Sequence, residues 1–503
     1  MIKKSVNQHN IILFSILLLA ILVRVAAITT RPIWYDEAFA ILFAEKGVQA
    51  LVAGTLTPVG GVASDVHPLA YYMLLYGWMK LLGQSLTSVR LLSVLFGVGT
   101  ILIVYVFARS LAGEKMALIS AALVGLSPFQ IHYAQEIRMY ALLAFFLVAT
   151  TLALWYAMRE DRWYWWTVFT ICILLAQFTH NLAIFYIFPV ALTPIYFRQW
   201  RTLRRVILAG CIAMLMYLPW LLQLPGQFAK VQQSYWTTNP TPSRLVTTFL
   251  SFTTNLPVPT ALLPVALFVT FILLFLAGWQ TFIASRLKLP HFKHGLWLCY
   301  LTLSPIILMF LFSQWQPVFI ERGLIASGVM FLVWLSWVIT ETNKPRLVQG
   351  LLVLMILLGF AIGFYQHIFY NGFPYGPYSE IAQYLNLHSS RGDVILHSNK
   401  LTMLPMVYYD RDLPQKYLMD PPGSGADTLA RPTQDMLGLI AEASVEEGVG
   451  NATKVWFVIF NKAITEYHEL GYKTHPQLAW LEDHFVLNDV ENWGDISIYV
   501  FTR

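Results

Sequence analysis

Four short stretches of this 503-residue chain carry the residue types that group-transfer chemistry needs. RPIWYDEAFA sets Asp36 and Glu37 side by side directly after the first long apolar run. HYAQEIRMYALL spaces His132, Glu136 and Tyr140 at i, i+4 and i+8, which gathers them on one face of a continuous helix and puts Arg138 on the other side. SDVHPLAYY adds Asp65 and His67, and FIERGL adds Glu321 and Arg322. A carboxylate in a partly desolvated site gains basicity and can deprotonate or orient an acceptor hydroxyl. Arginine offers a planar fork of N–H donors to a phosphate. Glu37, His67 and Glu136 together make an oxygen and nitrogen set of the kind that holds a divalent cation such as Mg or Mn. No His-x-x-x-His or cysteine pair points to zinc.

Each stretch also has a plain structural reading. Acids suit the first turn of a helix over EAFAILFAE. Glu136 and Arg138 can cap two helices as an ion pair, a histidine before proline often only shapes a turn, and Arg322 can reach to a membrane interface. Charged side chains at a membrane edge nevertheless favour a functional role, and three acids expected on the same face (Asp36, Glu37 and Glu136) tip the balance.

The elements that must position these residues follow from composition. With 57% hydrophobic and 12% charged residues and a mean hydropathy of +0.59, the chain cannot be wrapped into a water-soluble globule; it reads as a polytopic membrane protein. Lys3 and Lys4 followed by residues 11–28 read as a retained first helix, since no small-residue cleavage site follows. Cys172, Cys211 and Cys299 lie in or at the edge of apolar runs, so no disulfide framework is implied. The net charge of +6 does not indicate a nucleic-acid partner, because the basic residues collect in short loops: Lys3 and Lys4, RQWRTLRR, RLKLPHFK and NKPR. The positive-inside rule places all of these on the cytoplasmic side.

Topology then obeys a parity test. Between the outward crossing at 11–28 and the basic loop at 198–205 the number of crossings must be odd, yet six apolar segments are available. The segment 68–83 is short and mixes aromatics with Lys80, so it is assigned to the interface as a juxtamembrane helix. Crossings at 90–108, 115–133, 137–157, 162–179, 181–197, 204–224, 260–285, 296–314, 321–341 and 347–368 complete about eleven transmembrane helices. Residues 1–369 form the membrane domain, with external loops at 29–89 and 225–259, and the latter is long enough for a substrate lid or a connector. Residues 370–503 read as a small soluble α/β domain outside the membrane. Within it GDVILHSN and KVWFVIF are buried strands, ISIYVFT a half-buried strand, YSEIAQYLNLH an amphipathic helix and DPPGSG a loop.

The order of a first helix, WYDEA, HPLAYYMLL, the run RLLSVLFGVGTILIVYVFARSLAGEKMALISAALVGLSPFQIHYAQEIRMYALLAF and a polar C-terminal domain resembles the membrane glycosyltransferases of the GT-C fold. The likeness is closest to the branch of protein O-mannosyltransferases and the aminoarabinose transferase of lipid A. It is dense over residues 11–160, loose through the later helices and positional in the C-terminal domain. FIERGL stands where many relatives have an Arg-Tyr pair, and HPLAYY lacks their second proline.

The resemblance implies a polytopic α-helical fold of GT-C type with a small C-terminal α/β domain. It implies an enzyme that moves a sugar from a polyprenyl-phosphate carrier to a lipid, glycan or protein acceptor at the outer membrane face, without a nucleotide cofactor. It maps the essential acid of the first external loop to Asp36, with Glu37 beside it, and a second acid to Glu136. Arg138, Arg322 and Tyr140 are the candidates for the donor phosphate. The expected location is the bacterial cytoplasmic membrane, with the active site and C-terminal domain outside. A ligase or polymerase of lipid-linked glycans shares these features. A transporter would place ionisable residues near the bilayer midplane or show matched halves, whereas the main intramembrane charge here, Arg24, is near enough to a helix end to snorkel.

Overall fold

The computed structural model describes residues 2–62, 64–234, 237–420 and 428–503, without the side chains of 2–7 and 233–234. The side chains of Lys3 and Lys4, Tyr235 and Trp236 of the 225–259 stretch, and the DPPGSG loop beyond Asp420 lie outside the described residues. The chain divides into two compact units. One is a helical unit of Met1–Ile28, Thr87–Leu224 and Thr237–Phe369, and the other a mixed unit of Thr29–Leu86, Pro225–Trp236 and Tyr370–Arg503.

In the helical unit, eight helices among the described residues are long and apolar enough to cross a membrane: Gln8–Val25, Leu86–Ala112, Tyr140–Glu160, Trp200–Leu221, Leu263–Arg286, Phe292–Phe312, Glu321–Glu341 and Arg346–Phe369. They coincide with eight of the eleven expected crossings. The other three expected crossings correspond to a bent pair, Glu114–Leu126 with Pro128–Ala134, and to the shorter apolar helices Trp163–Thr179 and Asn181–Tyr196. A ~30 Å hydrocarbon layer selects helices, because only they satisfy every backbone group within one segment. The Ile325–Glu341 helix is buried on every side from Ile325 to Ile339, as its mostly apolar composition, broken only by Ser327 and Ser336, requires.

Two expected continuities are broken. The 115–133 segment bends by 60° between Leu126 and Pro128. Ser127 leaves helical geometry there, at φ −64° and ψ 122°, and Pro128 opens the next helix at its first turn. Proline lacks the N–H that would continue the earlier helix but fits a first turn. Residues 135–139 are also not helical, so His132, Glu136 and Tyr140 do not share one continuous helix face as the spacing suggested. This irregular backbone is tolerated because it is packed in protein. Ser93 Oγ donates to the Glu136 carbonyl at 2.6 Å, and Gln135 Nε2 donates to the Arg24 carbonyl at 2.8 Å.

Arg24 does not snorkel. It is 1% exposed, and its Nη1 donates to the carbonyls of Gly125 at 2.6 Å and Ala20 at 3.1 Å. A cation thus closes the C-terminal carbonyls of the Glu114–Leu126 helix, where the helix dipole favours positive charge.

The stretch 225–259 is not a bare loop. It holds the helices Leu224–Ser234 and Ser243–Thr254, of which residues 225–236 belong to the mixed unit and the remainder to the helical unit. The latter helix is buried from Thr248 to Thr254 and packs on the Arg346–Phe369 helix.

The mixed unit does not consist of residues 370–503 alone; it incorporates the 29–86 segment. Its six-stranded sheet runs in the order β3-β2-β1-β4-β6-β5, with β1 Val394–His397, β2 Gln415–Leu418, β3 Ala441–Glu442, β4 Lys454–Phe460, β5 Val486–Trp493 and β6 Ile496–Thr502. The first four strands pair in parallel, while β4-β6 and β6-β5 are antiparallel. The expected strands β1, β4 and β6 are present, and β1 is buried throughout. β6 is buried at five of its seven positions rather than alternating, because apolar clusters cover both faces of the sheet. The expected helix is found at Tyr378–His388.

Three helices build the 29–86 segment: Tyr35–Ala44, Val48–Leu56 and Ala70–Leu82. The last has 13 residues, a length of about 20 Å, too short to cross ~30 Å of hydrocarbon. The Val48–Leu56 helix is tied to the C-terminal region by Thr433 Oγ1, which donates to the Gly54 carbonyl at 2.8 Å.

Candidate functional site

The sequence-derived site residues fall on both units, and each unit is described on its own. In the mixed unit, Asp36 and Glu37 occupy the first turn of the Tyr35–Ala44 helix. Trp34 precedes them at the cap position and its side chain does not cap the helix, so these two carboxylates meet the positive end of the helix. Glu37 is 1% exposed and Asp36 half-buried. Phe39 and Phe43 stack at 5.2 Å and both meet Tyr72 edge-on, which fixes the helix against Ala70–Leu82.

The same segment is held by residues that no sequence motif flagged. The Ile33 N–H donates to the Tyr409 hydroxyl at 3.4 Å, the Arg31 guanidinium lies 5.0 Å from the Tyr375 ring centroid, and Lys400 Nζ lies 5.3 Å from that of Tyr35. Their partners are more than 340 positions away in the chain, beyond any local pattern.

His67 is held by its neighbour. Asp65 Oδ1 accepts the Val66 and His67 N–H groups at 2.6 and 3.2 Å and lies 2.9 Å from His67 Nδ1. Lys230 Nζ donates to the Ser64 carbonyl at 2.6 Å. Burial alone would raise the Asp65 carboxyl, but His67, Lys230 and the Val66 N–H bring it well below the ordinary carboxylate range. Among the described residues no group of three or more His, Cys, Asp or Glu side chains is arranged to hold a metal ion; of the set read from the sequence, Glu37 and His67 belong to the mixed unit and Glu136 to the helical unit.

In the helical unit, the break at 135–139 carries Glu136 and Arg138, 4% and 2% exposed. His132 Nε2 lies 3.3 Å from Glu136 Oε1, so that contact forms although the helix has ended. Tyr140 opens the Tyr140–Glu160 helix, and the Arg322 guanidinium sits 5.3 Å from its ring centroid. The structure therefore brings together two residues assigned to the donor phosphate, Tyr140 and Arg322. Glu321, next to Arg322, turns elsewhere: its Oε1 accepts from Arg244 Nη1 at 2.9 Å and Thr247 Oγ1 at 3.2 Å. Gln135 was not singled out by sequence, yet it bridges the Arg24 carbonyl and His367, whose Nε2 lies 2.7 Å from Gln135 Oε1. This unit thus presents a buried acid next to a histidine, and an arginine backed by an aromatic ring that can meet an anionic group.

The architecture matches that of ArnT from Cupriavidus metallidurans across 97% of both chains, with 12% identity and a TM-score of 0.62 in the apo state. The ArnT structure bound to undecaprenyl phosphate matches over the same shares with 13% identity and a TM-score of 0.58. The fold is of the GT-C type. The archaeal oligosaccharyltransferase AglB from Archaeoglobus fulgidus, in complex with an inhibitory peptide and a dolichol-phosphate, matches at 11% identity and a TM-score of 0.53, over 98% of this chain and 74% of that one. In sequence, the family model of dolichyl-phosphate-mannose-protein mannosyltransferases matches residues 66–222. That span includes His67, Glu136, Arg138 and Tyr140; Asp36, Glu37 and Arg322 lie outside it. No curated protein sequence matches the chain.

Proposed function

We propose that this GT-C-type protein is a membrane glycosyltransferase that moves a sugar from a polyprenyl-phosphate carrier to an acceptor hydroxyl. The observation that carries the reading is the fold match over 97% of both chains to a protein whose crystal structure holds undecaprenyl phosphate. Asp36 is the base. It takes the acceptor proton as the acceptor oxygen bonds to the anomeric carbon and the bond from that carbon to the carrier phosphate breaks. The electron pair leaves with the phosphate, and Arg138 and Arg322 stabilise the added charge, Tyr140 backing the Arg322 guanidinium. A single displacement inverts the anomeric carbon. Glu37 and Glu136 support the site as its further acids. The donor bond is already activated, so no nucleotide enters this step. The reaction belongs to the outer face of a bacterial cytoplasmic membrane.

The test is turnover by purified protein of a panel of undecaprenyl-phosphate and dolichyl-phosphate sugars, together with polyprenyl-diphosphate-linked oligosaccharides, with lipid, glycan and peptide acceptors, read as carrier phosphate or diphosphate freed and anomeric configuration of the product. Consumption of one donor with inversion supports the proposal. Retention would exclude the single displacement. Turnover only of diphosphate-linked oligosaccharides would indicate a ligase or polymerase of lipid-linked glycans.

A further inference from the structure

Lys400 is buried where a cation is electrostatically disfavoured. It is the first residue of the Lys400–Tyr409 helix, whose N-terminus carries the positive end of the dipole, and it is 5% exposed. Burying an ammonium group is costly unless compensating contacts hold it. One such contact is the face of Tyr35, 5.3 Å from Nζ to the ring centroid, and Tyr35 immediately precedes Asp36. The far end of the same helix makes a second contact: the Tyr409 hydroxyl accepts the Ile33 N–H at 3.4 Å. Just beyond it, Arg411 forms a two-pronged bond to Glu45, with N to O distances of 3.0 and 2.7 Å, immediately past the end of the Tyr35–Ala44 helix. One helix and the turn after it therefore grip the acid-bearing helix in front of its first turn, at that turn and behind its last.

We infer that the Lys400–Tyr409 helix positions Asp36, with Lys400 as the positioning residue that fixes the first turn through Tyr35. Nothing in the resemblance or the local sequence assigns such a role to the C-terminal region, whose helix lies some 364 positions downstream of Asp36. The inference rests on the reading of Asp36 as the base. It gives the C-terminal region a part in the chemical step, beyond packing or acceptor binding. A positioning role lowers kcat when the contact is lost and leaves carrier affinity in place.

The test uses the full chain, purified in detergent at matched, monodisperse levels, with the donor that wild type consumes. Lys400→Met is expected to lower kcat about tenfold with KM for the carrier within about twofold, and Lys400→Arg to recover kcat to within about threefold of wild type. Lys400→Gln is expected to show the same loss and serves where Lys400→Met does not fold. Combined with Asp36→Asn, Lys400→Met should cause no further loss, because both act through one group. Amide exchange over residues 33–38, read without turnover, should rise about tenfold in Lys400→Met. Wild-type kcat in Lys400→Met and Lys400→Gln, a loss confined to KM, or additive losses in the double variant would each overturn the inference. Full activity of Asp36→Asn would instead sink the base assignment, leaving the exchange measurement to decide whether Lys400 holds the helix.

Discussion

Arg24→Met tests whether the buried arginine, rather than lipid or solvent, closes the end of the Glu114–Leu126 helix. The substitution keeps an apolar side chain of similar reach but removes the Nη1 bonds to Gly125 O at 2.6 Å and Ala20 O at 3.1 Å. Charge-assisted bonds are worth about 1.5–3 kcal/mol each in protein interiors and polar contacts within membranes about 0.6–2 kcal/mol. Releasing a buried guanidinium from its desolvation cost offsets part of that loss, which leaves a net destabilisation of about 1–3 kcal/mol. For a helical unit of roughly 300 residues, thermal unfolding in detergent should therefore show Tm lower by about 2–5 °C, with Arg24→Lys in between because it keeps the charge and loses the fork. The variant keeps the Arg24 carbonyl that receives the Gln135 amide, so the rise in amide exchange is expected in the last turn of the Glu114–Leu126 helix, which loses its side-chain cap. A Tm within about 1 °C of wild type and unchanged exchange would refute the reasoning and return Arg24 to a snorkelling role.

Three further outcomes follow from single contacts. His397 in β1 is fully buried, and desolvation lowers its pKa to about 3, with the Gln415 bond opposing the shift. Since the unfolded chain protonates near pH ~6.5, the stability that neutral His397 lends is complete above that value and is lost progressively as pH falls towards about 3. Exchange protection of β1 should follow that course, and His397→Gln should flatten it; an unchanged pH course in the variant would contradict the assignment. At Gly363 an added Cβ would meet the Thr254 carbonyl at 2.5 Å and Pro128 at 2.7 Å, so Gly363→Ala should destabilise by about 1–3 kcal/mol in thermal unfolding. A neutral result there would mean that the helices separate freely. Arg322→Met should lower kcat/KM for the carrier about 10–100-fold, whereas Arg244→Met, whose partner is Glu321 in a half-exposed pair, should lower it by less than about threefold. Equal effects of the two would deny Arg322 its phosphate role.

Most of the helical architecture was legible in the sequence because apolar runs of membrane length leave little else to form. The breaks were less legible. The i, i+4, i+8 spacing of His132, Glu136 and Tyr140 suits a helix, but a tertiary partner, the Ser93 hydroxyl, meets the Glu136 carbonyl where the backbone of 135–139 leaves helical geometry. Arg24 reads as a charge near a helix end, and only the folded neighbour, the Gly125 carbonyl, reveals its place. In the sheet, β1 and β4 announce themselves as buried apolar runs, whereas β5, VLNDVENW, is largely exposed and owes its form to pairing with β6. Asp36 and Glu37 stand out beside the first apolar run. Lys400, Tyr409 and Tyr375 do not, since their relation to that segment exists only after residues 29–86 and 370–503 fold as one unit.

We propose that Asp36 is the base of a polyprenyl-phosphate-sugar transferase. The most direct measurement is carrier consumption by wild type and Asp36→Asn at matched protein levels, on the donor the wild type uses. Loss of a general base is worth about 10²–10⁴-fold in rate, so Asp36→Asn should consume the carrier at least about 100-fold more slowly while still binding it. An equally abundant Asp36→Asn protein that consumes the carrier at the wild-type rate would contradict the account.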